Sequence, residues 1–234
     1  MRLLRVLSGL VLFGIAFGYV EAAVVVYLRA VCEPVRVKVL GGAPPDAVFP
    51  LLTLDQLRAA GPQYTRMLAV ELGRELATLA MLAAAGLAVG GGFVAWLAGF
   101  LIAFGVWDIF YYIFLKLLVD WPASLWAWDI LFLVPVPWVG PVIAPVIVSA
   151  SMIAAGVAVF YRESVGRPIR FRWFHWAAIC GGGVLTVVAF CWDWQNAAAG
   201  AWPNPFHWPL FAAGELLGVG GFSAAWWGRA KGQS

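Results

Sequence analysis

Several acidic residues stand among neighbours that are almost wholly apolar: Glu21, Glu71, Glu75, Asp108 and Glu215, with Asp129 inside the short apolar run 121–134 and Asp193 near the end of another run. A charged side chain at the centre of a bilayer costs about 2.5–3.5 kcal/mol on insertion scales, so such residues face a bundle interior or a wet cavity and mark function. Their spacing adds detail. In Glu71-Leu-Gly-Arg-Glu75 the two glutamates share a helical face at i and i+4, with Arg74 one step aside. Asp108 has Tyr111 and Tyr112 at i+3 and i+4, so phenol hydroxyls can donate to it. The sequence Trp-Asp-Ile occurs at 107–109 and again at 128–130, and Trp192-Asp193 is a third pair that sets an apolar ring beside a carboxylate.

Carboxylates projecting inward from several helices suit two kinds of chemistry. As hard oxygen ligands, Glu21, Glu71, Glu75 and Asp108 would hold a divalent cation such as Mg, Mn, Ca or Fe. That cation would act as a Lewis acid or supply hydroxide, making the chain a metal-dependent membrane hydrolase or transferase with a lipid-like or lipid-linked substrate. Without metal, Asp108, Asp129 and Glu75 are the candidate catalytic acid and base groups. Arg74 would hold an anionic part of the substrate or orient a glutamate, with Tyr111 and Tyr112 beside it. The alternatives are a proton- or ion-coupled small-solute transporter, which uses protonatable carboxylates and broken elements at membrane depth, and an accessory structural subunit of a membrane complex. A plain packing network, with Arg74 neutralising one or two glutamates, is the bland alternative; against it, five or six acids face only Arg74 and, further out, Arg29 or Lys116.

Other chemistries are excluded by count. His175 and His207 are too few for a three-histidine zinc site, and the Glu-x-x-His signature of di-iron bundles is absent. His207 is the one available nitrogen ligand, because His175 sits in the basic, aromatic stretch 170–176 of an interfacial anchor. Cys32, Cys180 and Cys191 are an odd number without a C-x-x-C, which supports neither a disulfide framework nor a zinc ribbon. Neither a P-loop nor a nucleophile elbow occurs, and no haem or nucleotide is expected.

The elements that must position these residues are membrane helices. Of the 234 residues 63% are apolar and 12% charged, against about 25% charged in soluble domains. A net charge of +3 from so few ionisable residues argues against nucleic acid as a partner. The expected fold is all-α: a polytopic transmembrane bundle in one domain, 1–234, with spans at about 6–30, 64–88, 92–118, 138–161, 174–193 and 208–228. The first apolar run is too long for a signal-peptide core and reads as a retained helix. Residues 121–134 are too short to span and are closed by Pro135 and Pro137, so a re-entrant or interfacial half-helix is expected there. Outer loop 32–62 contains Thr53-Leu-Asp-Gln56, a capping box that predicts a short amphipathic surface helix.

Arginine placement sets the expected orientation. Six spans put Arg2, Arg5, Arg162, Arg167, Arg170, Arg172, Arg229 and Lys231 on one side, the cytoplasmic one for a bacterial inner-membrane protein with both termini inside. At 1.5 Å per residue, Glu21, Glu71, Glu75, Asp108 and Glu215 then lie roughly 10–16 Å below the opposite surface. The expectation is therefore a carboxylate cluster in a pocket open to the periplasmic or extracellular face. The bilayer is the surrounding partner, and small-residue patterns such as Gly14-x-x-x-Gly18 and Gly214-x-x-x-Gly218 suit a compact bundle or a homo-oligomer equally.

Overall fold

A computed structural model describes residues 2–41 and 48–228. Among these residues, eight helices and one two-stranded sheet follow in order: α1 (Arg2–Leu40), α2 (Leu54–Ala60), α3 (Pro62–Ala88), α4 (Phe93–Val119), β1 (Trp128–Phe132), β2 (Trp138–Pro141), α5 (Ile143–Ser164), α6 (Trp173–Cys191), α7 (Trp194–Ala198) and α8 (Trp208–Trp227). The chain is thus mostly helical. Four segments are long and apolar enough to cross a membrane, Leu3–Leu40, Phe93–Val119, Ile143–Ser164 and Trp173–Ala198. Helices α3 and α8, of 27 and 20 residues, are long enough but more polar, α3 through Arg66, Glu71, Arg74 and Glu75 and α8 through Glu215 and its tryptophans.

Local chemistry explains the boundaries. Helix α1 runs ten residues past the expected end, through Pro34, so that Cys32, Glu33 and Arg36 are helical rather than loop. The capping box forms as expected: the Gln56 amide donates to Thr53 Oγ1 at 3.2 Å and the Thr53 amide to Gln56 Oε1 at 2.8 Å. Gly61 takes φ 137°, and Pro62 then opens α3 at the position where a helix needs no amide donor. Arg229 and Lys231, counted above on the inner side, lie outside the described residues.

Helix α4 is the hub, with buried residues on several faces packed against α1, α3 and α5. Small residues bring the backbones together. A Cβ on Gly18 of α1 would stand 2.9 Å from the Trp107 carbonyl oxygen, and one on Gly156 of α5 2.7 Å from that of Ala98. Helices α6 and α8 form a second unit, in which Gly182 and Gly214 approach so closely that a Cβ on Gly182 would meet the Gly214 carbonyl oxygen at 2.6 Å.

The expected half-helix at 121–134 is not formed. Residues 128–141 are instead an antiparallel hairpin, with Trp128 opposite Pro141, Asp129 opposite Gly140, Ile130 opposite Val139, and a bulge before Phe132 opposite Trp138. Pro135 and Pro137 lack amide donors and cannot continue a helix, so the apolar run folds back on itself at 133–137 and pairs its own backbone. The ladder is extended by Val142 N–H to Ala127 O at 3.0 Å and Ile143 N–H to Leu125 O at 2.8 Å. Phe132 lies 6.4 Å from Phe104 and 6.3 Å from Trp107, ring to ring, and Phe104 is fifteen residues before the end of α4. The hairpin therefore packs its Phe132 end against the middle of α4.

Candidate functional site

The expected residues Glu21, Glu71, Arg74, Glu75, Asp108, Tyr111, Tyr112 and Asp129 all line one cavity of about 340 Å³. It is bounded by α1, α3, α4, the hairpin and residues 48–52, with Leu57 of α2 at its rim. Helical spacing accounts for the convergence. On α1, Glu21, Val25, Leu28, Arg29, Cys32 and Arg36 recur at three- and four-residue intervals and so share the cavity-facing stripe. Residues 71, 74 and 75 of α3, and 108, 111 and 112 of α4, do the same.

Within the cavity Glu21 and Glu71 share Arg74, and Glu75, Asp108 and Asp129 have separate partners. Arg74 bridges two helices: its Nη1 donates to Glu21 of α1, and its Nε and Nη2 hold Glu71 on its own helix, the Nε contact at 2.9 Å. Thr78 Oγ1 also donates to Glu21, at 3.4 Å. The Glu75 carboxylate accepts the Leu133 amide on both oxygens at 2.9 Å, tying α3 to the hairpin tip. Ser149 of α5 donates to Asp108 at 2.8 Å, and Tyr112 donates to Asp129 at 3.0 Å.

These contacts separate the acids into two sets. Glu21 and Glu71 are paired with Arg74, which is thereby committed to the protein and not left as a bare anion holder. Glu75, Asp108 and Asp129 have hydrogen bonds but no ion pair among the described residues. Asp129, in the hairpin, is buried, and loss of solvent pushes its carboxyl up to about 6 despite the Tyr112 hydroxyl and the Arg29 charge.

No group of three His, Cys, Asp or Glu side chains able to hold a metal ion occurs among the described residues, so the expected ligand set Glu21, Glu71, Glu75 and Asp108 lines the cavity without forming a coordination shell. The histidines do not add a ligand. His207 Nδ1 accepts the Leu210 amide at 3.3 Å and caps α8, and buried His175 accepts the Arg172 amide at 3.0 Å and caps α6. Lys116 pairs with Asp120, and Asp193 accepts from Asn204 to order the 193–204 loop; both pairs lie away from the cavity.

Glu215 is also elsewhere. It accepts from Ser151 at 3.0 Å in the wall of a second, partly open cavity of about 710 Å³, bordered by α4, α5, α6, α8 and the hairpin and lined almost wholly by apolar side chains. Asp108 and Leu131 belong to the walls of both cavities. Sequence reasoning missed this second chamber, the Ser149 partner, and the inward-facing Arg36. The signal for Arg36 was present in its spacing seven residues after Arg29, two helical turns on the same stripe.

No family model, curated protein or solved structure matches the chain.

Proposed function

We propose that the chain is a six-span inner-membrane protein that binds a membrane-resident amphiphile across the two cavities and carries out proton-transfer chemistry on its head group. The observation that carries this reading is the position of Asp108 in the wall shared by a polar cavity of about 340 Å³ and an apolar one of about 710 Å³. Both volumes fall in the range of ligand sites, roughly 300–1,000 Å³. Hydrocarbon would occupy the apolar chamber, and the polar part would lie beside Asp108, Asp129 and Glu75. Asp108 and Asp129 would act as acid and base, which requires groups that exchange a proton near neutral pH; an Asp129 carboxyl at about 6 meets that need. Six spans place α3 and α8 across the bilayer, set the termini on the arginine-rich cytoplasmic side, and open the polar cavity outward.

No group of three His, Cys, Asp or Glu side chains stands together among the described residues, so the reading rests on proton transfer by the acids themselves. Lipid retention by the purified full-length protein tests the proposal. Extraction and mass spectrometry should recover near-stoichiometric lipid, and Gly183→Leu, whose new side chain projects into open space lining the apolar chamber, should reduce it several-fold. Lipid content equal to that of an unrelated membrane protein, and unchanged by Gly183→Leu, would overturn the reading. Gradient-driven solute uptake into proteoliposomes, abolished by Asp108→Asn, would replace it with the transporter.

A further inference from the structure

Arg74 is neutralised by Glu21 and Glu71, so an anionic group entering the polar cavity finds its positive charge elsewhere. Two further arginines line that cavity, Arg29 and Arg36 of α1. Seven residues apart, they sit two turns from one another on one helical face, about 10 Å along the axis and toward the helix end opposite the deep acids.

Arg36 is the informative one. Its side chain is 15% exposed, and its Nε and Nη2 are buried with no hydrogen-bond partner among the described residues. Its one charged neighbour there, Glu33, stands 3.9 Å from Nη1, beyond hydrogen-bond reach. A buried donor left unmade costs about 1–3 kcal/mol, more when charged, and such groups are few in native proteins. Arg29 lies with its guanidinium 4.6 Å over the Trp121 ring, which fixes the plane of the fork without using its N–H groups. Trp107, in the same cavity, also has a buried indole N–H with no partner. Buried unsatisfied donors at two places in one cavity, Arg36 and Trp107, call for a ligand rich in acceptor oxygens.

We propose that Arg29 and Arg36 form an anion site at the mouth of the polar cavity, and that it takes the phosphate group of an anionic amphiphile. The proposal rests on the amphiphile reading above and narrows its substrate class. Guanidinium forks match phosphate oxygens in pairs, which favours phosphate over a single-point anion. The deeper wall, with Glu75, Asp108 and Asp129, repels the same charge, so phosphate stays at the mouth while the uncharged part of the head group reaches the acids.

The test uses the full chain in detergent with three probes: dioleoyl phosphatidic acid, dioleoylglycerol and inorganic phosphate. Phosphatidic acid should bind at least tenfold more tightly than dioleoylglycerol. Arg36→Gln should weaken phosphatidic acid about tenfold and Arg29→Gln with Arg36→Gln still more, with dioleoylglycerol unchanged. Arg58→Gln, whose exposed pairing with Asp55 lies on α2, should change neither. Where Arg36→Gln fails to purify, Arg36→Lys keeps the charge, lacks the fork, and should still lose several-fold. Equal binding of the two lipids, or an Arg36 variant that binds phosphatidic acid as the parent does, overturns the anion site and leaves the amphiphile reading standing. Phosphate bound in an Arg36-dependent way with neither lipid retained overturns the amphiphile and keeps the anion site for a free anion.

Discussion

Arg74 holds together two helices that share no loop, and its removal is the most costly single change expected in the cavity. Arg74→Met leaves Glu21 and Glu71 without a counter-charge in a setting where their side chains are 9% and 16% exposed. Breaking a buried pair by deleting one partner costs about 3–5 kcal/mol, whereas replacing all partners by neutral groups is often close to neutral. Thermal melts in detergent should therefore show a large drop for Arg74→Met and recovery of most of it when Glu21→Gln and Glu71→Gln are added; no recovery would remove the ion-triad account. Asp129 gives a pH signature. Its folded-state value, about 6, lies above the usual carboxyl value near 3.9, so between about pH 4 and pH 6 the folded protein holds a proton that the unfolded chain has lost. The carboxylate's cost to stability is absent below about pH 4 and complete above about pH 6. Asp129→Asn, which keeps an acceptor for Tyr112, should melt higher than the parent at pH 8, with the gap closing toward pH 4.

The hairpin is the element on which the cavity depends, since it supplies Asp129, the Leu133 amide and one wall of each chamber. A buried sheet edge must have its amides satisfied by protein. Glu75 does this for Leu133, so its bland role is to anchor the tip. Glu75→Ala should cost about 1–3 kcal/mol, the penalty of an orphaned amide, and raise hydrogen exchange at 131–134 selectively; protection there equal to the parent's would mean the tip is held by other contacts. Between α6 and α8 the glycines act as spacers. Gly182→Val pushes a side chain against the Gly214 carbonyl and the Gly218 amide, while Gly183 has open space before it, so Gly182→Val should lower the melting point sharply and Gly183→Leu little.

As a whole the molecule is two helical units, α1 with α3, α4 and α5, and α6 with α8, with the hairpin and the apolar chamber between them. The proposed orientation makes α2 and the α5–α6 turn lie on opposite sides of the membrane. With Cys32, Cys180 and Cys191 replaced, a cysteine at Arg58 should react with an impermeant maleimide from outside intact spheroplasts. One at Arg167 should react only after permeabilisation. The reverse pattern, or labelling of both from one side, would refute six spans with inner termini.

Apolar period and length sufficed to find α1, α3, α4, α5, α6 and α8, because a helix satisfies its own backbone, but the span expected at 138–161 begins only at Ile143, since residues 138–141 pair as β2. The burden of charge in hydrocarbon likewise singled out the residues of the polar cavity, since lipid leaves them only the interior to face. Pairing could not be read in this way. That Arg74 belongs to Glu21, 53 residues away in sequence, and Asp108 to Ser149, 41 away, depends on helix rotation, which no local rule sets. The run at 121–134 is ambiguous for the same reason: a short apolar stretch ended by prolines suits a half-helix or a strand alike, and it is a strand because β2, Glu75 and Tyr112 stand ready to pair with it.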